Sequence, residues 1–304
     1  MLPHFPDFKP LEYSDRQDIE AVTSKYLPYS DFNFVSMWSW NVTDKMAISV
    51  LSDNLVVKFN DYITGELFYS FIGMNEPNAT AATLLEMSTK EGLNSKLQLV
   101  PDVVALSLDP NQFRVVEMRE HFDYVISVER LLPHDGTARP LSSRRRLLKK
   151  FKEEVPHEIR EINIFEQATQ YQIKNVSDQW EKDNTADDGN SAHLKRALDR
   201  IFSMPNPKGI FAFGAYIRGE LAGYCINELC PHKYVIGHFQ QGNLKAFSGI
   251  YALLMHETSP YFHALGYEYI NLEQDLNVPG LRAWKLSHHP SVFLKKYEVS
   301  HVDK

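Results

Sequence analysis

Cysteine is scarce: Cys225 and Cys230 are the only two in 304 residues. That excludes a disulfide scaffold. A lone C-x4-C is also a weak metal motif, so both read as reduced thiols near a strand end, in a cytoplasmic protein with no metal site. Long apolar runs are missing as well. No stretch of about 18 apolar residues occurs, so no transmembrane segment is expected. The opening "MLPHFPDFKP" has no basic stretch followed by an apolar core, so no secretory signal is expected. There is no short repeat, low-complexity tract or obvious linker. Basic residues are few in the first part of the chain. Residues 1–125 hold nine Lys/Arg against eighteen Asp/Glu, whereas 126–304 hold 23 against 21.

What is present is ordinary for a soluble globular protein: 43% hydrophobic and 23% charged residues. The length favours two domains, 1–130 and 131–304. The second also carries one dense cationic block, "RPLSSRRRLLKKFK". It packs seven basic residues and no acid between Arg139 and Lys152. Such a block points to a polyanionic partner.

The pattern alternates strands and helices. A helix is expected over 10–27, then a buried loop or short strand in "SDFNFVSMWSWNV". Two strands flank a Ser-Asp-Asn turn in "MAISVLSDNLVVKFND", and "GELFYSFIGM" gives another. "NATAATLLEMSTKEG" is a helix closed by Gly92, and "KLQLVP" is a strand. "VVEMREHFDYVISVERLL" runs from an irregular or helical piece into a further strand. The second half opens with a basic helix over about 141–154, followed by the strand "HEIREINIF" and two helices. A hairpin turning at Arg218-Gly219 comes next. Then follow a strand over 234–240, a helix, a strand over 267–273, a short helix and a last strand "VFLKKYEV".

The order hairpin, strand, helix, strand, helix, strand resembles the core of GNAT-type acyltransferases. In that fold two neighbouring parallel strands splay apart and admit an acyl donor. Here they would be 234–240 and 267–273. With the first half as a degenerate copy, the expected class is α/β (α+β): a tandem GNAT-like fold, two mixed sheets flanked by helices.

Longer motifs are more specific. "INLEQDLNVPGLRAWKLSHHPSVFLKKYEV" resembles the C-terminal catalytic domain of bacterial phosphatidylglycerol lysyltransferases and their soluble stand-alone relatives, mostly of unknown function. "SDFNFVSMWSW", "FDYVISVERL", "RRRLLKKF" and "GIYALLMHE" support the resemblance in chain order. It implies a tandem GNAT fold. For the membrane enzymes it implies transfer of an aminoacyl group from aminoacyl-tRNA to a lipid hydroxyl. This chain departs in three ways. It lacks a transmembrane module. Where relatives read His-Ile-Glu-Lys-Ala, it reads His238-Phe239-Gln240-Gln241-Gly242, with amides in place of a carboxylate and an ammonium. Where they have a Lys-Arg pair, it has Arg144-Arg145 followed by Arg146.

The chemistry is expected in "YEYINLEQDLNVPGLRAWKLSHHP". On a strand, Glu273 and Asp275 would share a face at its carboxyl end. Arg282 and Lys285, three apart on a helix, would share another. A carboxylate can accept the proton that an acceptor amine or hydroxyl loses in acyl transfer. A cation can stabilise the oxyanion. The competing explanation is a salt-bridged corner, which suits Glu273 and Lys285 better than Asp275 and Arg282. His238, on the strand beside the gap, is a possible acid or base, although a lone strand histidine is more often structural. Adjacent His288 and His289 point different ways and do not suggest a metal.

For the donor, Arg144, Arg145 and Lys149 are the docking cations, with Lys285 as a further anion contact. A solvated helix face explains most such patterns. The candidate polyanions are a tRNA acceptor stem, a lipid headgroup or a phosphopantetheine carrier. Ordinary GNAT enzymes bind pyrophosphate in an R/Q-x-x-G-x-G/A loop. The corresponding "LKAFSG" keeps only Gly249, with Phe247 at the earlier glycine, which argues against acetyl-CoA. No permanently bound cofactor is expected. The leading expectation is aminoacyl-tRNA-dependent transfer to a lipid or small-molecule acceptor by direct attack. The rivals are an acyl-CoA-dependent N-acyltransferase and a non-catalytic binding protein that kept the fold.

Overall fold

Runs such as "LVVKF" and "LFYSF" have the β-branched and aromatic composition of strands buried on both faces. They form central strands in the computed structural model, almost wholly out of solvent. The structure describes residues 1–61, 64–132, 143–183, 190–205 and 208–302, without the side chains of 143–145 and 190–191.

The first part contains β1 (Lys9–Pro10), α1 (Arg16–Thr23), α2 (Phe34–Trp40), β2 (Ala47–Leu51), β3 (Asn54–Asn60) and β4 (Leu67–Ile72). It continues with α3 (Pro77–Lys90), β5 (Leu97–Pro101), the single turn α4 (Asp102–Ala105), β6 (Phe113–Glu117) and β7 (Asp123–Ser127). The second part runs α5 (Ser143–Glu154), β8 (His157–Glu161), α6 (Gln167–Asp183), α7 (Asn190–Phe202), β9 (Ile210–Ile217) and β10 (Glu220–Cys230). Then come β11 (Tyr234–Gly242), α8 (Ile250–Ala264), β12 (Tyr269–Asn271), α9 (Pro279–Leu286), β13 (Val292–Leu294) and β14 (Lys296–His301). The β9–β10 hairpin turns at Arg218-Gly219, both at positive φ (54° and 84°), as a two-residue turn demands.

Two local expectations fail for physical reasons. The helix expected over 10–27 shortens to α1, because Lys9 and Pro10 pair with β2 instead. The aromatic stretch expected as a loop or strand is helix α2. Asn33 caps it, its Oδ1 accepting from the Ser36 N–H at 2.9 Å. That helix is buried on nearly every side, so it shows no polar face in the sequence.

The two seven-stranded sheets share one plan. Their orders are β1-β2-β3-β4-β5-β14-β6 and β8-β9-β10-β11-β12-β7-β13. In each, a helix crossover joins a parallel pair: β4–α3–β5 and β11–α8–β12. In each, the sixth place is taken by a strand from the other part of the chain. A cut near residue 130 therefore separates β7 from its own sheet and leaves β14 attached to the wrong one. The last stretch, expected as one strand, divides at Lys295 between the two sheets.

A buried ion cluster pins this exchange. The Lys296 Nζ, at the start of β14, lies 2.5 Å from Asp123 Oδ1, at the start of β7. It also lies 2.7 Å from Asp31 Oδ2 and 3.0 Å from Ser30 Oγ. No helix among the described residues is long and apolar enough to cross a membrane.

Candidate active site

β11 and β12 pair over three residues only: Tyr234 with Tyr269, Val235 with Ile270 and Ile236 with Asn271. Beyond that point β12 stops, while β11 continues to Gly242 along β10. The strands part, and a cleft of about 1340 Å3 opens beside them. Asn271 ends the strand. Its Oδ1 accepts from the Glu273 N–H at 2.7 Å, and its Nδ2 donates to the Pro28 carbonyl at 2.9 Å. Glu273, Leu276 and Asn277 all take positive φ. The chain has thus left the strand before Glu273, and the expected shared face of Glu273 and Asp275 does not exist.

Glu273 turns toward β11. Its Oε1 lies 3.3 Å from His238 Nδ1 and 3.0 Å from the Ser36 hydroxyl, which donates to it. His238 Nε2 lies 3.3 Å from Glu228 Oε2 on β10. The imidazole is wholly buried, whereas Glu273 is 18% exposed and lines the cleft. Burial pushes the His238 pKa down, but hydrogen bonds and charge from Glu228 and Glu273 outweigh it and raise the pKa to about 9. The ring is therefore an imidazolium at neutral pH, clamped between two carboxylates.

Asp275 turns the other way and forms a corner. It accepts from Arg282 Nε at 2.9 Å and Nη2 at 2.8 Å, from the Tyr124 hydroxyl at 2.5 Å and from the Asn277 N–H at 2.8 Å. Arg119 adds a contact at 3.3 Å. Burial works against the ionised form, yet Arg282 and Tyr124 hold the carboxyl below its usual range. A saturated carboxylate of this kind is a poor base, and neither Asp275 nor Arg282 lines the cleft. The salt-bridged corner is the better account of this pair. The expected pairing of Arg282 with Lys285 also separates. Lys285 lines the cleft, 5% exposed, and donates to the Gln274 carbonyl. Burial lowers its pKa to about 8, only partly opposed by Glu273, Asp123 and Asp275.

Both parts of the chain line the cleft, with aromatic side chains set among aliphatic and polar ones. Phe59 and Phe68 come from the first sheet and Trp40 from α2, facing Trp180, Tyr251 and Trp284. The two amides of β11 have structural partners. Gln241 Oε1 accepts from the Ser177 and Tyr224 hydroxyls, each at 2.6 Å, and Gln240 Nε2 donates to the Tyr251 carbonyl at 3.1 Å.

The loop before α8 closes on itself. The Ala246 and Phe247 N–H groups donate to Asn243, and the Ile250 N–H donates to the Phe247 carbonyl. Gly249 holds a backbone conformation that favours glycine and packs tightly on α5. Its φ is 107°, and a Cβ there would sit 3.2 Å from the Leu147 Cγ of α5. α5 packs on α8, with Leu148 and Phe151 buried and Leu147 reaching the cleft. Its outer face carries Lys149, 65% exposed and 3.7 Å from Glu153. The side chains of Arg144 and Arg145 lie outside the described residues, as does Arg139.

Sequence reasoning missed Ser36, Asn33, Glu228 and Arg16. Glu228 left a signal, as the lone acid in the apolar run "GYCINELC". The other three belong to helices whose place against β10 only the tertiary fold reveals.

The comparisons agree with this geometry. No curated protein matches the chain in sequence. Among solved structures, a conserved protein of unknown function from Bacteroides thetaiotaomicron superposes with a TM-score of 0.80 at 25% identity, covering 100% of both chains. L-PGS from Bacillus licheniformis gives 0.63 at 12% identity, over 99% of this chain and 93% of its own. FemX gives 0.56 at 9% identity, over 96% of each. The fold is the expected tandem GNAT-like one, with two mixed sheets flanked by helices. The family model described as phosphatidylglycerol lysyltransferase, C-terminal, matches residues 27–300. The chain belongs to that family.

Proposed function

We propose that this protein is an acyltransferase that moves an aminoacyl group from charged tRNA directly to a lipid-like or small-molecule acceptor. The observation that carries the reading is the parting of β11 and β12 onto a large cleft lined by Glu273, Lys285 and the buried His238. Membership of a family named for lysyl transfer supports an aminoacyl cargo. The self-bonded loop before α8 speaks against a pyrophosphate cradle, and so against acyl-CoA. The basic stretch of α5 is the docking place for an anionic donor, with Arg144, Arg145 and Lys149 as its cations.

In this reading the acceptor's amine or hydroxyl attacks the ester carbonyl carbon. The new C–N or C–O bond forms as the ester C–O bond to the ribose breaks. Glu273 takes the acceptor's proton, and the Lys285 ammonium stabilises the oxyanion and gives a proton to the departing ribose oxygen. Exchange with solvent resets both groups. No acyl-enzyme is needed, so positioning supplies much of the rate.

The test is loss of ester-linked amino acid from bulk charged tRNA, with pooled lipids and amines as acceptors. Glu273→Gln should slow it by about 10²–10⁴-fold. Tight acetyl-CoA binding with no response to tRNA would replace this reading by the acyl-CoA one. Binding of charged tRNA without turnover would replace it by the binding protein.

A further inference from the structure

A chain of polar contacts runs from Glu273 through the buried His238, both of which line the cleft, to Glu228 and its partners in the first part of the chain, which lie behind it. From Glu273 Oε1 it passes to His238 Nδ1 at 3.3 Å, and from His238 Nε2 to Glu228 Oε2 at 3.3 Å. Glu228 is itself 4% exposed and does not line the cleft. Both its oxygens are held by the first part of the chain. Asn33 Nδ2 donates to Oε2 at 2.6 Å, and Arg16 Nη2 pairs with Oε1 at 3.1 Å. Arg16 is fixed in turn by Glu20, through Nε at 2.6 Å, and by the Lys208 carbonyl at 3.2 Å.

Burying a carboxylate is expensive unless it is paired and hydrogen-bonded. Here charges alternate along the line: Arg16, Glu228, His238, Glu273. Each carboxylate has a cation on either side or at one end. The other groups around the imidazole are few. Ser36 Oγ lies 3.3 Å from Nδ1, and Cys230 Sγ lies 3.7 Å from Glu228 Oε2. Lys285 acts on Glu273 through charge from α9. The Cys230 thiol is pushed well up by burial and by Glu228, so it stays protonated and neutral.

We infer that Glu228 is a positioning residue, anchored by Arg16 and Asn33, which acts through the buried His238 ring to hold the Glu273 carboxylate aimed at the cleft. The inference rests on the proposed role of Glu273 as base. It adds that the base of one half is set by an arginine and an asparagine of the other. Arg16 and Asn33 touch no substrate. Arg16 reaches the cleft through Glu228 and the ring, and Asn33 does so by that route and also through Ser36, whose N–H it accepts and whose hydroxyl donates to Glu273.

The experiment reads His238 directly, in the full-length protein, by ¹⁵N NMR of the labelled imidazole across pH 6 to 10. In the wild type the ring stays protonated through neutral pH and titrates near 9. Glu228→Gln keeps the shape and removes the charge. It should lower the His238 titration by about one pH unit or more. A wild-type ring that is neutral at pH 7 overturns the inference without any variant. So does a Glu228→Gln ring that titrates where the wild type does. The two readings fail separately. If no transfer is found but the ring shifts, the relay stands and the proposed reaction falls. If transfer is found and the Glu228→Gln ring titrates where the wild type does, the relay falls and the reaction stands.

Discussion

The two sheets of this protein follow one strand order, and only one of them carries ionisable chemistry where its parallel strands part. In the second sheet the parting of β11 and β12 is furnished with His238 and Glu273, backed by Glu228. In the first, β4 and β5 keep a single parallel pair, Tyr69 with Leu97. No residue of those two strands is charged, and Tyr69, Phe71 and Leu97 fill the space at 0% exposure. The same backbone opening is a cleft bordered by ionisable groups in one place and a core in the other. Fold alone therefore does not decide function; the side chains set into the opening do. The first part still contributes, through a cleft wall and through Arg16, Asn33 and Ser36 behind the acid pair.

The comparison breaks most completely at the seam. Lys296→Met leaves Asp31 and Asp123 buried without their cation, which should cost about 3–5 kcal/mol. Each exchanged strand belongs to the other part's sheet, so both sheets should melt together. Urea unfolding followed by tryptophan fluorescence and far-UV circular dichroism checks this. Two separated transitions would show that the sheets are independent.

A pair of substitutions at equivalent places sharpens it. Phe71→Ala, in the filled opening, should lose about 3–5 kcal/mol of stability and leave transfer by the folded fraction unchanged. Glu273→Gln should do the reverse, abolishing most transfer at a smaller cost to the urea midpoint, the part of the His238 clamp that its charge supplies. An equal loss of stability from both would argue that Glu273 is only a packing residue.

Much of this contrast was legible in the sequence. Alternating elements, the Arg218-Gly219 turn and the C-terminal motif gave the tandem fold, and the gap between residues 234–240 and 267–273 was anticipated. The strand exchange was not, because β-pairing partners far apart in sequence leave no local mark. The site was legible in its residue types but not in its pairings. Glu273 and Asp275 are two apart, yet the backbone reverses into positive φ at Glu273 and sends them to different partners. Period-two reasoning holds only while the strand lasts, and β12 ends at Asn271. Lys285 read as part of a salt-bridged corner; its burial, a tertiary fact, makes it a cleft amine instead.

A pH series tests the charge states next. The His238 pKa is raised from 6.5 to about 9 in the folded state, so its stabilisation is complete below 6.5 and is lost as pH rises through 9. That limb is worth on the order of 3 kcal/mol. Lys285 behaves oppositely. Its pKa falls from 10.5 to about 8, so the folded state bears a buried ammonium below 8 and is relieved as pH climbs toward 10.5. Urea midpoints should therefore fall from pH 6.5 to 8, flatten between 8 and 9, and then rise. Lys285→Met should remove the rise, and Glu228→Gln should flatten the fall. A midpoint constant from 6.5 to 8 in the wild type would mean the ring is not held charged.

The smallest effect on stability belongs to α5, and there the expected change in binding is the informative one. Lys149 and Lys150 are 65% and 69% exposed, and their partners, Glu153 and Glu154, stand off at 3.7 and 3.9 Å. Exposed pairs of this kind contribute little, so Lys149→Ser with Lys150→Ser should change stability by less than about 0.5 kcal/mol. Affinity for charged tRNA should nevertheless fall. A phosphate contact releases condensed counterions, so the slope of log K against log salt should shrink by roughly 0.7–0.9 for each contact removed. The first part of the chain offers a matched control, because Lys58 on β3 is paired to Glu91 at 2.6 Å and is only 21% exposed. Lys58→Ser should leave the salt slope untouched. If the α5 pair leaves it untouched as well, the basic face is solvated surface and the donor docks elsewhere along the cleft.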